Sequence, residues 1–205
     1  MKVKRAYKFR FYPDQQQEKL LAQTFGCVRF VYNSILRYRM DAYYQAKEKV
    51  NYVGANARLT AIKQMPEFAF LNDVSSVPLQ QCLRNQQTAF KNFFEGRAKY
   101  PVFKSKKHRQ SAEFTYRAFT YKDGALKLAK CDKPLAIHWS QSLPSNPSTV
   151  TVSKDPADRY WLFTGVKAFP QTLQLLLFQK TQQTGTLYRA CVSSSQPCFP
   201  LPTKR

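Results

Sequence analysis

Residues 2–17 read KVKRAYKFRFYPDQQQ, and the fold turns on them. Up to Tyr12 the side chains alternate, with Val3, Arg5, Tyr7, Phe9 and Phe11 on one face and Lys2, Lys4, Lys8 and Arg10 on the other. A period of two predicts a strand with one half-buried and one cationic face. Pro13 stops it. Asp14 with Gln17 three residues on is a capping box, so a helix starts at once, carrying Leu20, Leu21 and Phe25 inward. Gly26 reads as a stop or sharp bend.

Working outward, a second helix is expected over roughly 27–49, with Val28, Val31, Ile35, Tyr38 and Ala42 as its buried stripe. Arg29, Arg37, Arg39 and Lys47 fall outside that stripe. Residues 51–58 read as a polar connection, followed by a short helix, LTAIKQM, halted before Pro66. Ser76 is a candidate cap and Pro78 suits the first turn of the next helix. That helix lines Leu79, Leu83, Phe90 and Phe94 along one side, presents Gln80, Arg84, Gln87 and Lys91 elsewhere, and closes at Gly96.

Past residue 110 the period returns to two. AEFTYRAFTYKDGALKLA reads as a hairpin turning at Lys122-Asp123-Gly124, PLAIHWS as a short strand, and TVTVSKDPADRYWLF as a hairpin turning around Asp155-Pro156. The expected class is α+β, a small antiparallel sheet or barrel interrupted by an inserted helical region. From Val166 onward the chain holds no Asp or Glu, and we expect weak order over 166–205.

Composition narrows the partners. Of the 205 residues, 33 are Lys or Arg and 12 are Asp or Glu, a net charge of +21. Such an excess repels itself in a compact state unless a polyanion neutralises it, so nucleic acid leads and an anionic membrane surface comes second. No apolar run reaches the roughly 20 residues of a membrane span. The five cysteines lack metal-ligand spacing, which leaves zinc unsupported and points to reduced thiols in the cytoplasm. The densest cationic run, Lys104, Lys106, Lys107 and Arg109, stands between the rings of Tyr100, Phe103, Phe114 and Tyr116. That pattern suits phosphate neutralisation with stacking; the bland alternative is a solvated loop with some rings, Phe103 especially, in the core. His108 reads as solvated or phosphate-facing and His138 as packed or locally bonded, neither with a catalytic partner. Cys27, Phe30 and Tyr32 read as packing residues.

Five segments, YKFRFYP, QTFGCVRFVYN, LQQCLRNQQTAFKNFF, YPVFKSKK and VTVSKDPADRYW, occur in an order that resembles the TnpB (OrfB) proteins of bacterial insertion sequences. The resemblance covers about residues 2–163. It implies a wedge-like β-barrel whose first strand, within residues 1–13, is separated from the remainder, 99–165, by a helix-turn-helix-like recognition domain over 14–98. It also implies RNA-guided DNA cleavage by a RuvC-like site of two Asp and one Glu holding metal. This sequence offers no acid beyond Asp158, so we expect the N-terminal portion of such a protein, without catalysis, metal or cofactor. The positions carried over as DNA contacts are Tyr52, Asn56, Ser76, Gln80 and Thr115, with Arg84 on the same helix and Tyr116 beside the basic run. Their chemistry suits base edges and phosphates. The alternatives are that Ser76 only caps and Tyr52 only covers the core, and lysine often stands where this chain has Ser76. The partners so implied are DNA and element-derived structured RNA, with a nucleoid location if DNA is bound. The competing readings are a sequence-selective repressor or accessory factor of the element, and a decayed product without function.

Overall fold

A computed structural model describes residues 3–168, and Lys4–Lys167 forms one compact unit. Within that unit, strand β1 (Val3–Tyr12) alternates as its sequence requires, burying Phe9 and Phe11 while Lys8 and Arg10 project from the other face. The capping box closes in both directions, the Gln17 amide donating to Asp14 Oδ1 at 2.8 Å and the Asp14 amide to Gln17 Oε1 at 3.2 Å. Gln17 is itself buried, and its side-chain amide also donates to the carbonyls of Lys133 and Pro134. The cap therefore ties the helix start to the distant strand segment.

Gly26 does not stop the helix. Helix α1 runs unbroken over Gln15–Ala46. Leu21, Phe25, Val28, Tyr32, Ile35 and Arg39 follow one another at three- and four-residue steps through the glycine. Burial of that stripe outweighs the ~1 kcal/mol that glycine costs a helix. Lys47, in the left-handed conformation (φ 54°), ends the helix by donating its amide to Tyr43 O, while the Glu48 amide reaches Ala42 O. Arg39, expected outside the buried stripe, belongs to it: the residue is only 6% exposed and lies 5.1 Å from the Phe90 ring.

The polar connection over 51–58 is in fact helical. Asn51 accepts a hydrogen bond from the Gly54 amide at 2.9 Å and starts α2 (Tyr52–Gln64), which buries Ala55, Leu59 and Ile62. Gly54 and Asn56 dilute the apolar period, but a cap plus three inward residues suffices once α1 and α3 supply the wall. After a short 3-10 turn (Pro66–Asn72), α3 spans Ser76–Phe94. Its N-cap is Ser75, without a side-chain cap bond, and Ser76 is the first helical residue. Phe94 does not join the buried side, being 68% exposed. Gly96 (φ 70°) takes the left-handed conformation that closes the helix, its amide donating to Phe93 O.

The remaining strands are β2 (Gln110–Thr115), β3 (Phe119–Lys122), β4 (Ala125–Leu128), β5 (Ala136–His138), β6 (Thr149–Lys154) and β7 (Tyr160–Ala168). They form a five-stranded sheet ordered β2-β6-β7-β1-β5 and a separate β3-β4 ribbon. Helices α1–α3 are thus inserted between β1 and the other strands, the α+β arrangement expected. Among the described residues the sheet is open rather than a closed barrel. β3 and β4 turn through Asp123 and Gly124, both at positive φ, the primed hairpin geometry. β6 and β7 pair antiparallel from Thr149↔Gly165 to Lys154↔Tyr160, and β5 pairs antiparallel with β1. The inner sheet face carries Phe9, Phe11, Val150, Val152, Tyr160 and Leu162 into the core cluster that also holds Leu126, Leu128 and the α1 stripe. β7 continues to Ala168, past the boundary at 165. The rest of the segment expected to be poorly ordered, 169–205, lies outside the described residues.

Candidate nucleic-acid interface

Helix α3 buries Leu79, Cys82, Leu83, Gln86 and Phe90, so its other side must face solvent. Ser76, Gln80, Arg84 and Lys91 fall there, exposed, with Gln87 half-buried between the last two; the five follow at steps of four, four, three and four, a single stripe. Tyr52, at the start of α2, meets that stripe: Arg84 Nε donates to Tyr52 Oη at 3.4 Å, with the guanidinium 5.5 Å from the ring. Asn56 lies one turn further along α2. Thr115 ends β2, two residues beyond Glu113, whose carboxylate accepts from the Asn85 amide of α3 at 2.9 Å. The structure therefore brings Tyr52 into contact with Arg84, aligns Ser76 and Gln80 with it, and sets Thr115 on a strand bonded to α3. Tyr52 and Asn56 are half-buried, whereas Ser76, Gln80 and Arg84 line the solvent side.

The basic run has no regular structure, yet its backbone is held. Asn33 of α1 clamps Lys104 at both ends of the residue, accepting from its amide at 2.8 Å and donating to its carbonyl at 3.0 Å. Further along, Arg29 Nη1 donates to Gln110 Oε1 at 2.7 Å, and Gln110 Nε2 donates to Lys106 O at 2.7 Å. Asn33 does not stand out in the sequence, because a clamp on a loop 71 residues away leaves no local pattern.

The four cations of the run differ. Lys104, though exposed as a residue, sets its ammonium 4.4 Å from the buried Tyr32 ring, where desolvation pushes its pKa down. Lys106 and Lys107 are exposed and make no ion pair with a described residue. Arg109 donates to Ser153 Oγ at 3.3 Å and covers the Phe163 ring at 4.7 Å, so it leads from the loop onto the sheet. Of the flanking rings, Phe114 is core, while Phe103, Tyr100 and Tyr116 are exposed. Tyr100 rests edge-on against Phe90 and Phe93, and the Tyr116 hydroxyl accepts from Arg117 Nε at 3.1 Å. His108 is exposed; so is His138, opposite Arg10, rather than packed. Cys27 is buried at mid-helix, where burial pushes its thiol up.

Residues 1–48 match the family model described as a helix-turn-helix domain of the OrfB/IS605 type. A Streptomyces pristinaespiralis protein named "Putative RNA-guided DNA endonuclease" is 55% identical over 163 residues, covering 78% of this chain and 40% of that protein. The similarly named InsQ of Escherichia coli K12 is 35% identical over 116 residues, covering 57% and 28%. The chain belongs to the TnpB/OrfB family. It matches the N-terminal part of the pattern and spans two fifths or less of those two relatives. A Salmonella dublin virulence protein, VsdF, is 31% identical over 111 residues that make up 93% of its length. A solved Cas12f1–guide RNA–target DNA complex aligns with 82% of this chain and 49% of that chain at 13% identity, TM-score 0.42. Within the family segment 1–48 the TnpB-type chain has β1 followed by the uninterrupted α1; its turn between helices comes afterwards, at residues 47–51.

Proposed function

We propose that residues 3–168 of this TnpB-type chain form a nucleic-acid-binding unit that takes double-stranded DNA, structured RNA, or both. In this reading Lys106, Lys107 and Arg109 neutralise phosphates, and the stripe of Ser76, Gln80 and Arg84, with Tyr52 and Asn56 beside it, lies along a groove. Thr115 and Tyr116 sit at the border between the two. The observation that carries the reading is the anchored basic loop. Two exposed lysines, in no ion pair with a described residue, are held out by hydrogen bonds to the loop backbone, in a chain at +21. Fixing the loop before binding removes part of the ordering cost that would otherwise weaken the contact. Lys104 contributes chiefly through its clamped backbone, its ammonium being occupied by Tyr32.

Binding is the role we assign to the described residues. Two-metal phosphodiester hydrolysis needs grouped carboxylates, and among the described residues no three His, Cys, Asp or Glu side chains converge. RNA-guided cleavage belongs, by their names, to the longer relatives.

Titrating salt against affinity tests the reading. Displacement of phosphates by rising salt gives a log–log slope of about −0.9 for each one neutralised on duplex DNA. A flat slope, or no binding of RNA or DNA at low ionic strength, would overturn it. A second reading, a sequence-selective repressor or accessory factor of the insertion sequence, draws on the exposure of Gln80 and Arg84, which can pair with base edges. It requires the element's own end to compete better than scrambled DNA of equal length.

A further inference from the structure

The outer face of the five-stranded sheet carries a set of groups that the basic loop and α3 do not account for. Opposite the buried Tyr160 and Leu162, β7 turns Trp161 and Phe163 outward. Neighbouring β1 turns Lys8 and Arg10 to the same side. Lys8 Nζ lies 3.9 Å from the Trp161 centroid and 5.8 Å from that of Phe163. The Arg10 guanidinium lies 5.4 Å from Trp161 and 5.4 Å from Tyr12, and Arg159 closes on the indole at 6.0 Å. Arg109 covers Phe163 and joins this face to the basic loop. Four cations thus surround two adjacent outward rings, and Arg10 Nε is buried without a hydrogen-bond partner among the described residues.

The acids on this side are already engaged. Glu113 is bonded by Asn85. Asp155, in the β6–β7 turn, accepts from the Ala157 and Arg159 amides, from Arg159 Nε at 2.7 Å and from Trp161 Nε1 at 3.2 Å. Burial acts to raise its pKa, yet the bonds from Arg159 and Trp161 bring it down to about 2. Asp155 therefore fixes the turn, the indole plane and one of the cations at once. No ion pair joins Lys8 or Arg10 to a described acid.

We propose that this outer sheet face is a second contact surface, taking an unpaired polynucleotide strand, with Trp161 and Phe163 as its rings, Lys8, Arg10 and Arg109 on its phosphates, and Asp155 as the positioning residue for Trp161. The inference deepens the nucleic-acid-binding reading and rests on it. A strand is favoured over a duplex on physical grounds. Trp161 and Phe163 are half-buried and edged by cations, so they can take only a base brought against what they leave open; a duplex hides its base faces in its own stack, whereas every unpaired base exposes one. Trp161 and Phe163 are two residues apart on one strand, about 7 Å, so successive groups of one extended chain can reach both.

The experiment uses the full chain with a single strand of about 12 nucleotides, within the range such surfaces occupy. One arm is oligouridine RNA carrying a single 5-iodouridine, the other its DNA counterpart. Photo-cross-linking followed by peptide mapping is expected to place a cross-link at Trp161 or Phe163, and the stronger arm identifies the sugar preferred. Trp161→Ala is expected to weaken binding about tenfold, in the range of losing one stacked base. Asp155→Ala is expected to weaken it as much, Asp155→Asn to stay within about twofold, and the Trp161→Ala/Asp155→Ala double variant to add nothing to Trp161→Ala, since Asp155 acts through the ring. The sign is informative, because removing an acid from a cationic face should tighten polyanion binding if charge alone mattered. Strand binding with cross-links only within 52–116 would overturn the inference and leave the proposed function standing. Absence of binding to any RNA or DNA at low salt would overturn both. A folded Asp155→Ala variant with a lower melting temperature and undiminished affinity would make Asp155 purely structural.

Discussion

The polar stripe of α3 and the outer face of the sheet solve the display of side chains in opposite ways. On α3, Ser76 and Gln80 project toward solvent, Arg84 rests on Tyr52, and Lys91 reaches Glu95 one turn on, at 3.8 Å. On the sheet, Lys8, Arg10, Arg109 and Arg159 each lie against a ring. A solvent-facing glutamine can swing to suit a base edge, whereas a cation seated over an indole is already placed. The difference teaches that one cationic chain can carry an adaptable region and a preset one, separated by the anchored basic loop.

Breaking the electrostatic side of that comparison should have the largest effect. Replacing Lys106, Lys107 and Arg109 together by alanine is expected to weaken duplex binding by one to two orders of magnitude at moderate salt. The salt slope should shrink by roughly one for each phosphate no longer neutralised. Fluorescence anisotropy over a salt series checks both. Asn33→Ala comes next. It removes both hydrogen bonds on Lys104, at ~1 kcal/mol each, and frees the loop while every cation remains. Affinity should fall several-fold with the helical circular dichroism unchanged; unchanged affinity would mean the anchoring does not matter.

Gln80→Ala sharpens the contrast differently. Affinity for scrambled DNA should stay within about twofold, while any preference for the element's own end shrinks by about 1–3 kcal/mol, the discrimination one bidentate pair supplies. Lys104→Met should cost little affinity and should leave the melting temperature equal or higher, since burial disfavours the charged ammonium. The smallest effect concerns acid. The Asp155 carboxyl sits below its unfolded value, so the stability it lends the β6–β7 turn is whole above about pH 4 and is lost as pH falls toward about 2. Trp161 fluorescence should therefore hold constant from pH 8 to about pH 4.

Much of the fold was legible because its signals are local. The alternation of β1, the Asp14–Gln17 box, the Asp123-Gly124 turn and the β6–β7 hairpin each act over a few residues, and each appears where the residues place it. The errors share a cause. Gly26 reads as a break and residues 51–58 as a connection because local propensity disfavours helix there, while burial against other elements, invisible along the chain, outweighs it. The same holds for Arg39, whose charge argues for solvent but whose guanidinium is covered by Phe90.

The candidate surface divides in the same way. Its charge, its aromatic content and the α3 stripe follow from composition and from a period of 3.6, which the chain carries whatever its partners. Which cations face outward follows from neither. Lys104 lays its ammonium over Tyr32 while Lys106 and Lys107 stand clear of ion pairs with described residues, because Tyr32 and Asn33 meet the loop only after folding. The indole of Trp161 gathers Lys8, Arg10 and Arg159 because β1 and β7, the first and last of the described strands, become neighbours in the sheet. Periodicity encodes which face a residue takes; only the closing of distant strands and loops decides what stands opposite it.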